Sequence, residues 1–282
     1  MSQDSSGPSG FANSIKLDCT TADTSIAAGE YFMLQQRIEG QNLQSFAKGT
    51  SDAKTFSVSF YVKGNASATY VCELFDIDNT RQVSKSFNVT TSWTRVELTF
   101  PADTTGAFDN DNAASLYLTI WLHAGSTYTG GTLSTTWTSA TSANRAAGIS
   151  SFFDSTDRTF FITGVQLELG DNATPFEHRS FGDELLRCQR YYEKGEIDGC
   201  VLCIYKSTQM RGALYLKVKK RAQPTGTISG AQIYYNGSTV SGSHSITLPT
   251  DTSIRVQSDG TGYSAGNAAY INDVNYTADA EL

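Results

Sequence analysis

The chain has 282 residues, 39% hydrophobic and 17% charged, and its 21 Lys and Arg against 28 Asp and Glu leave a net charge of −7. An aromatic content of 11% argues against a long disordered chain, a sequence pI near 5.0 with scattered Lys and Arg argues against nucleic-acid binding, and no apolar run approaches the ~20 residues of a bilayer span. The N-terminus, MSQDSSGPSGF, has neither a basic n-region nor an apolar h-region, so no secretory signal is expected.

Period-two alternation predicts strands over 13–19 (Ile15, Leu17, Cys19), 30–38, 55–62, 69–77, 82–89, 93–100, 115–122 and 159–169. Phe56, Val58, Phe60 and Val62 share one face of their strand, and Leu116, Leu118, Ile120 and Leu122 share one face of theirs. In 159–169 the apolar phase shifts from Phe160 and Ile162 to Val165, Leu167 and Leu169, which marks Gly164 as a bulge. No strand is followed by a long helical pattern, so βαβ units are absent. The expected architecture over 1–179 is two antiparallel sheets face to face, a jelly-roll β-sandwich. The stretch 124–151 is an unusually long loop with few large apolar side chains beyond Tyr128, Leu133, Trp137 and Ile149. Such a loop is either functional or disordered. Trp137 favours packing, on the sandwich or on a neighbouring subunit.

The one convincing helix is predicted over 181–193, opened by a Ser180/Asp183 capping box. Leu185, Leu186, Cys188, Gln189 and Tyr192 would form its apolar face, with Arg187 and Arg190 toward the end that favours cations. Strand patterns return over 199–206, 212–219, 226–236, 243–248, 253–258 and 268–276. Asn236-Gly237 is a type I′ hairpin signal, and Asp259-Gly260 with Gly262 marks another turn. The fold class is therefore expected to be all-β, with a jelly roll (1–179), a connecting helix (180–193) packed between two domains, and a smaller C-terminal β-domain (194–282).

The chemistry-bearing residues are sparse. Cys19, Cys72, Cys188, Cys200 and Cys203 are odd in number, and Cys19, Cys72, Cys188 and Cys203 sit among apolar neighbours, so they read as buried thiols. Cys200-Val201-Leu202-Cys203 lacks the second ligand pair of a zinc site. The histidines His123, His178 and His244 lie in separate segments without metalloprotease spacing, and there is no nucleophile elbow or phosphate-binding loop. No enzyme is expected. Glu73 with Asp76 or Glu97 is the carboxylate pairing a glycosidase would have to use.

Glycan binding is the sharper idea, because sugars are held by aromatic faces with polar groups beside them. Opposite the leucines of 115–123 stand Tyr117, Trp121 and His123; 55–62 adds Tyr61, and 69–77 adds Glu73 and Phe75. If these strands share a sheet, the six form a polar–aromatic platform. The other reading is that Tyr117 and Trp121 are covered by the 124–151 loop or another subunit. No cofactor is expected beyond a structural calcium, for which the oxygen-rich turns at Asp76, Asp78, Asp109 and Asp111 are candidates, although Asp and Asn are also ordinary turn residues. The run Lys217, Lys219, Lys220, Arg221 reads as an exposed strand end that blunts an edge, or as a contact for anionic surface polymer. Asn88-Val89-Thr90 matches a sequon but carries no weight without a signal peptide.

The blocks Gly164–Gly170, Ala173–Gly182 and Glu184–Tyr192 together resemble a segment found in phage tail-fibre and other virion proteins, including those of marine phages. Residues 35–48, 101–115, 132–145 and the terminal Tyr276–Leu282 also resemble that family, so the likeness spans nearly the whole chain. It implies a jelly roll similar to carbohydrate-binding modules and a virion structural role on the outside of a phage particle. It further implies a homotrimer, with other virion proteins and host surface polysaccharide as partners. Relatives carry an upstream segment that links to a virion-attachment part, and here the sandwich begins near residue 11. That departure keeps a head-decoration or cement role open beside a tail fibre, and a glycan depolymerase is the third reading.

Overall fold

The structure is a computed structural model. It describes every residue except 198–199, 231, 236, 241–242, 265–266, 268, 273 and 282, and the backbone alone at 200, 232, 240 and 272. The chain divides into two compact units, Met1–Glu177 and His178–Leu282.

The first unit runs β1 (Ser2–Asp4), β2 (Ser14–Asp18), β3 (Tyr31–Glu39), β4 (Phe56–Gly64), β5 (Ala68–Asp76), β6 (Arg81–Val89), β7 (Thr94–Phe100), β8 (Ala114–Ala124), the short helix α1 (Ser126–Thr129), β9 (Thr138–Ser139) and β10 (Thr159–Leu169). They form two five-stranded antiparallel sheets, ordered β1-β2-β10-β4-β7 and β3-β8-β5-β6-β9. The alternation read from the sequence places the core. Phe56, Val58, Phe60 and Val62 of β4 meet Leu116, Leu118, Ile120 and Leu122 of β8 in one buried cluster, joined by Leu74, Val83 and Phe160. Each such side chain contributes about 1.5–3 kcal/mol on burial. The chain is an all-β protein, and this unit is a jelly-roll sandwich.

Gly164 is the expected bulge. Pairing of β10 with β4 shifts register between Thr163 and Gln166, and Gly164 has φ +63°. A Cβ there would come within 2.7 Å of the Phe11 ring.

The second unit opens with α2 (Phe181–Gln189), then β11 (Tyr192–Ile197), β12 (Cys200–Lys206), β13 (Gln209–Tyr215), β14 (Thr225–Ser229), β15 (Gln232–Tyr235), β16 (Ser238–Val240), β17 (Ser243–Thr247), β18 (Ser253–Asp259), β19 (Ala269–Asn272) and β20 (Val274–Asp279). A three-stranded sheet, β11-β20-β14, and a seven-stranded sheet, β16-β15-β19-β12-β13-β18-β17, share one core that includes Ile197, Met210, Ile233, Val256, Ile271, Val274 and Tyr276. Asn236 lies outside the described residues. Its neighbour Gly237 has φ +79°, and Tyr235 pairs with Ser238.

Three expectations are corrected here. The helix is capped as read, with the Asp183 N–H donating to Ser180 Oγ at 3.2 Å, but it ends at Gln189, and Tyr192 begins β11. None of its residues is buried. Cys188 and Cys203 are exposed, so only Cys19 and Cys72 behave as buried thiols, and the side chain of Cys200 lies outside the described part. In the basic run Lys217 and Lys219 are exposed, but Lys220 is fully buried against Glu193 at 2.6 Å. Arg221 Nε donates to the Ala280 carbonyl at 2.8 Å. The ammonium of Lys220 is thus half of a core ion pair, reached because the 216–221 segment turns inward beside β11.

Candidate binding face of the first unit

The outer face of the β3-β8-β5-β6 sheet is read row by row from its register. Arg37 lies beside Tyr117, and Tyr117 beside Phe75. The next row is Gln35, Thr119, Glu73 and Ser84, and the row after it holds Met33, Trp121 and Val71. Tyr61 is not in this array. It sits on β4 in the other sheet, with its ring 5.2 Å from Phe11. The platform expected from six residues is therefore split between the two outer faces of the sandwich.

The 124–151 segment covers most of the array. Arg145 reaches Glu73 with two bonds, Nε to Oε1 at 2.8 Å and Nη2 to Oε2 at 2.9 Å. Glu73 Oε2 also accepts the Trp121 indole N–H at 2.8 Å. Tyr128, Leu133, Ala146 and Ile149 pack with Trp121 and Val71 in a satellite cluster. Gln82 and Ser84 are tied to the loop through Ser134 and Arg145. Trp137 anchors the far side, packing on Phe56 and donating to the Pro101 carbonyl at 2.8 Å. Trp121 and Glu73 are consequently buried and saturated, and neither can meet a ligand from solvent.

His123 is also buried. Its Nδ1 lies 2.8 Å from Ser151 Oγ, and its ring is edge-on to Phe153. Burial pulls its pKa below the usual histidine value, against the opposing pull of Asp23 and Glu30.

The open remainder is a strip of Arg37, Tyr117 and Phe75 with Gln35 at its edge. Tyr117 and Phe75 are half-buried and stacked, with ring centroids 6.2 Å apart and planes at 23°. The Arg37 guanidinium lies 5.3 Å over Tyr117, and Arg145 lies 4.5 Å over Phe75. Gln35 accepts from Arg37 Nε and donates to Thr119 Oγ1, both at 3.2 Å. Two aromatic faces beside a guanidinium and an amide are the donor set that a sugar ring needs. Arg37, Gln35 and Arg145 escaped the sequence reading. For Gln35 and Arg37 the only signal was the alternation of 30–38, whose strand partner is set by topology; Arg145, in the 124–151 segment, had none.

The calcium candidates resolve differently. At Asp76 a lysine already occupies the cation position. Lys48 is fully buried and lies 2.5 Å from Asp76 Oδ2, 3.1 Å from Asp103 Oδ2, and 2.9 and 2.8 Å from the carbonyls of Thr105 and Gly106. Asp78 accepts the Asp109 N–H and so ties two loops 31 residues apart, and Asp111 closes its own turn by accepting the Ala113 N–H. Asp109 is exposed and joins no metal-ligand cluster among the described residues. The carboxylates weighed for glycosidase chemistry do not face one another as a free pair. Glu73 is bound by Arg145, Asp76 by Lys48, and Glu97, on β7 in the other sheet, by Arg95.

The second unit exposes Val201, Tyr205, Tyr215 and Tyr270. Tyr270 stacks on Tyr234 at 5.2 Å, and Arg211 lies 3.6 Å over Tyr205. Among the described residues no helix is long and apolar enough to cross a membrane.

No family model matches the chain, and no curated protein matches it. Three similar solved structures are of known kinds. A CBM4 domain aligns over 52% of this chain and 66% of its own length, at 11% identity and a TM-score of 0.29. The tandem CBM22-1-CBM22-2 domain of Paenibacillus barcinonensis Xyn10C aligns over 98% and 90%, at 11% identity and 0.31. The Cucumber Necrosis Virus structure aligns over 95% and 96%, at 11% identity and 0.19. The chain spans just under two thirds of the CBM4 structure. At these TM-scores the likeness says nothing of ligand or location, and the sandwich assignment stands on the strand order above.

Proposed function

We propose that this chain is a non-enzymatic phage virion protein, of the tail-fibre or appendage kind, whose first unit holds a host-surface glycan on the Arg37–Tyr117–Phe75 strip. The observation that carries the glycan reading is the stacked, half-buried Tyr117–Phe75 pair left open at the edge of the 124–151 cover, with Arg37 above it. A sugar ring takes the place of the exposed Arg37 side chain over Tyr117, and the displaced guanidinium with the released Gln35 carbonyl takes its hydroxyls. Placement on a virion rests on the residue resemblance over 164–192 alone. The homotrimer belongs to the same reading, and light scattering showing a monomer at micromolar concentration counts against it.

The test is binding of the purified protein to a glycan panel, beside a Tyr117→Ala/Arg37→Ala variant whose fold is confirmed by circular dichroism. The expected result is saturable binding to at least one glycan, weakened tenfold or more in the variant. Binding undiminished in that variant but lost in Tyr205→Ala/Tyr270→Ala would move the site to the second unit and overturn the assignment.

A further inference from the structure

Away from the open strip, the loop after β2 and the end of β8 bring three metal-ligand side chains together. A ring nitrogen of His123 and carboxylate oxygens of Asp23 and Glu30 all lie within 4.8 Å of one another. Each is placed by its own contacts. The Asp23 N–H donates to the Phe153 carbonyl at 2.8 Å, and the Glu30 carboxylate accepts the Ala27 N–H at 2.6 Å. His123 is 2% exposed and held at Nδ1 by Ser151 Oγ, which itself accepts the Phe153 N–H at 3.1 Å.

Two features set this cluster apart from an ordinary acidic patch. Neither carboxylate pairs with a lysine or arginine among the described residues, so two negative charges converge without a cation. The buried imidazole is also incompletely used. Its Nε2 has no hydrogen-bond partner among the described residues. In the tautomer that carries the proton on Nδ1, toward Ser151 Oγ, the Nε2 lone pair is left for a ligand. Metal-bound imidazoles are held in this way, by a hydrogen bond at the other nitrogen.

We propose that Asp23, Glu30 and His123 bind one divalent transition ion of the Zn²⁺ class, which ties the 19–30 loop to β8. One imidazole with two carboxylates suits Zn²⁺, whereas Ca²⁺ is held by oxygen alone. Ligand bonds of about 2.0–2.2 Å require the three side chains to draw in by about 1 Å. Glu30 is exposed and Asp23 half-exposed on a loop, so both can make that movement while His123 stays fixed. Solvent supplies the remaining position.

The test is calorimetric titration of the chelator-treated protein with ZnCl2, and in parallel with CaCl2. One Zn²⁺ per chain is expected, with no Ca²⁺ heat at the same concentrations. Asp23→Asn and Glu30→Gln, which keep the turn-closing acceptors, should each weaken binding at least about tenfold, and Asp109→Asn should leave it unchanged. The unmodified protein offers a second readout independent of any variant. The chain has three histidines, and Zn²⁺ should move the ring ¹⁵N signals of His123 alone. Absence of stoichiometric uptake, a preference for Ca²⁺, binding unaffected by both variants, or a shift confined to His178 or His244 overturns the assignment.

Discussion

Arg145 grips the buried carboxylate of Glu73 with two bonds of 2.8 and 2.9 Å, and so holds the 124–151 segment down over the outer face of β8 and β5. The same guanidinium lies over both Phe75 and Trp121, at 4.5 and 5.1 Å. One side chain therefore touches both the buried Trp121 and the half-buried Phe75, and the apolar residues Tyr128, Leu133, Ala146 and Ile149 complete the cover over Trp121.

Replacing Arg145 by Ala leaves the buried Glu73 bonded only to the Trp121 indole. Breaking a buried pair from one side costs about 3–5 kcal/mol. Urea unfolding of Arg145→Ala should show a loss of that order, with the native tryptophan emission shifted to the red as water reaches Trp121. An unchanged spectrum and midpoint would show that the loop is held by its apolar contacts instead.

Lys48 is the internal cation of the first unit, shared by Asp76 and Asp103. Lys48→Met should cost about 3–5 kcal/mol, since two converging carboxylates then lose their common partner. Adding Asp76→Asn to that variant should recover part of the loss. A double variant less stable than the single one would refute this account.

Acid stability follows from Asp103 and Glu193. Burial acts to raise both carboxyls, but hydrogen bonds from Arg81, Lys48 and Thr105 to Asp103, and from Lys220, Tyr276 and Lys217 to Glu193, outweigh it and hold both below their ordinary values. A depressed acid stabilises the fold fully above its unfolded pKa, and that contribution is lost as pH falls through the folded one. The contribution of these two acids to stability, measured by chemical denaturation, should therefore be level down to about pH 4.5 and fall below it, after an earlier decline below about pH 6.5 that the depressed pKa values of His123 and His244 bring. Lys220→Met should flatten the part of the fall that belongs to the second unit. A flat profile down to pH 2 would contradict the linkage.

Thiol reactivity should divide by burial. Cys72 is fully enclosed, and burial pushes its pKa far up, with Glu73 adding to the effect. Brief alkylation of the native protein followed by mass spectrometry should label Cys188 and Cys203 and spare Cys19 and Cys72. Labelling of Cys72 at the same rate as Cys203 would mean that the sandwich opens on that timescale.

Strands whose inner face is purely apolar were the most legible parts of the chain. The β4 and β8 cores, the Gly164 bulge and the Ser180 cap each follow from a local rule. The candidate site was legible only in part. Tyr117 and Phe75 were picked from the strand face that does not enter the core, and they do lie side by side. The same reasoning selected Trp121, Glu73 and His123, which are covered, and Tyr61, which belongs to the other sheet. Alternation shows which side chains leave the core. It does not show what a loop many residues away lays over them.

The sequence by itself determined the all-β class, the inward faces of the long strands and the place of the helix, because those depend on period, caps and turn chemistry within a few residues. Only the tertiary structure decided which polar groups are spent inside. The cation beside Asp76 comes from Lys48, the partner of Glu73 is Arg145, and the partner of Glu193 is Lys220. These pairs join residues 28, 72 and 27 positions apart. A buried charge must be compensated by whatever the fold brings to it, and sheet register and loop path, not neighbouring sequence, make that choice.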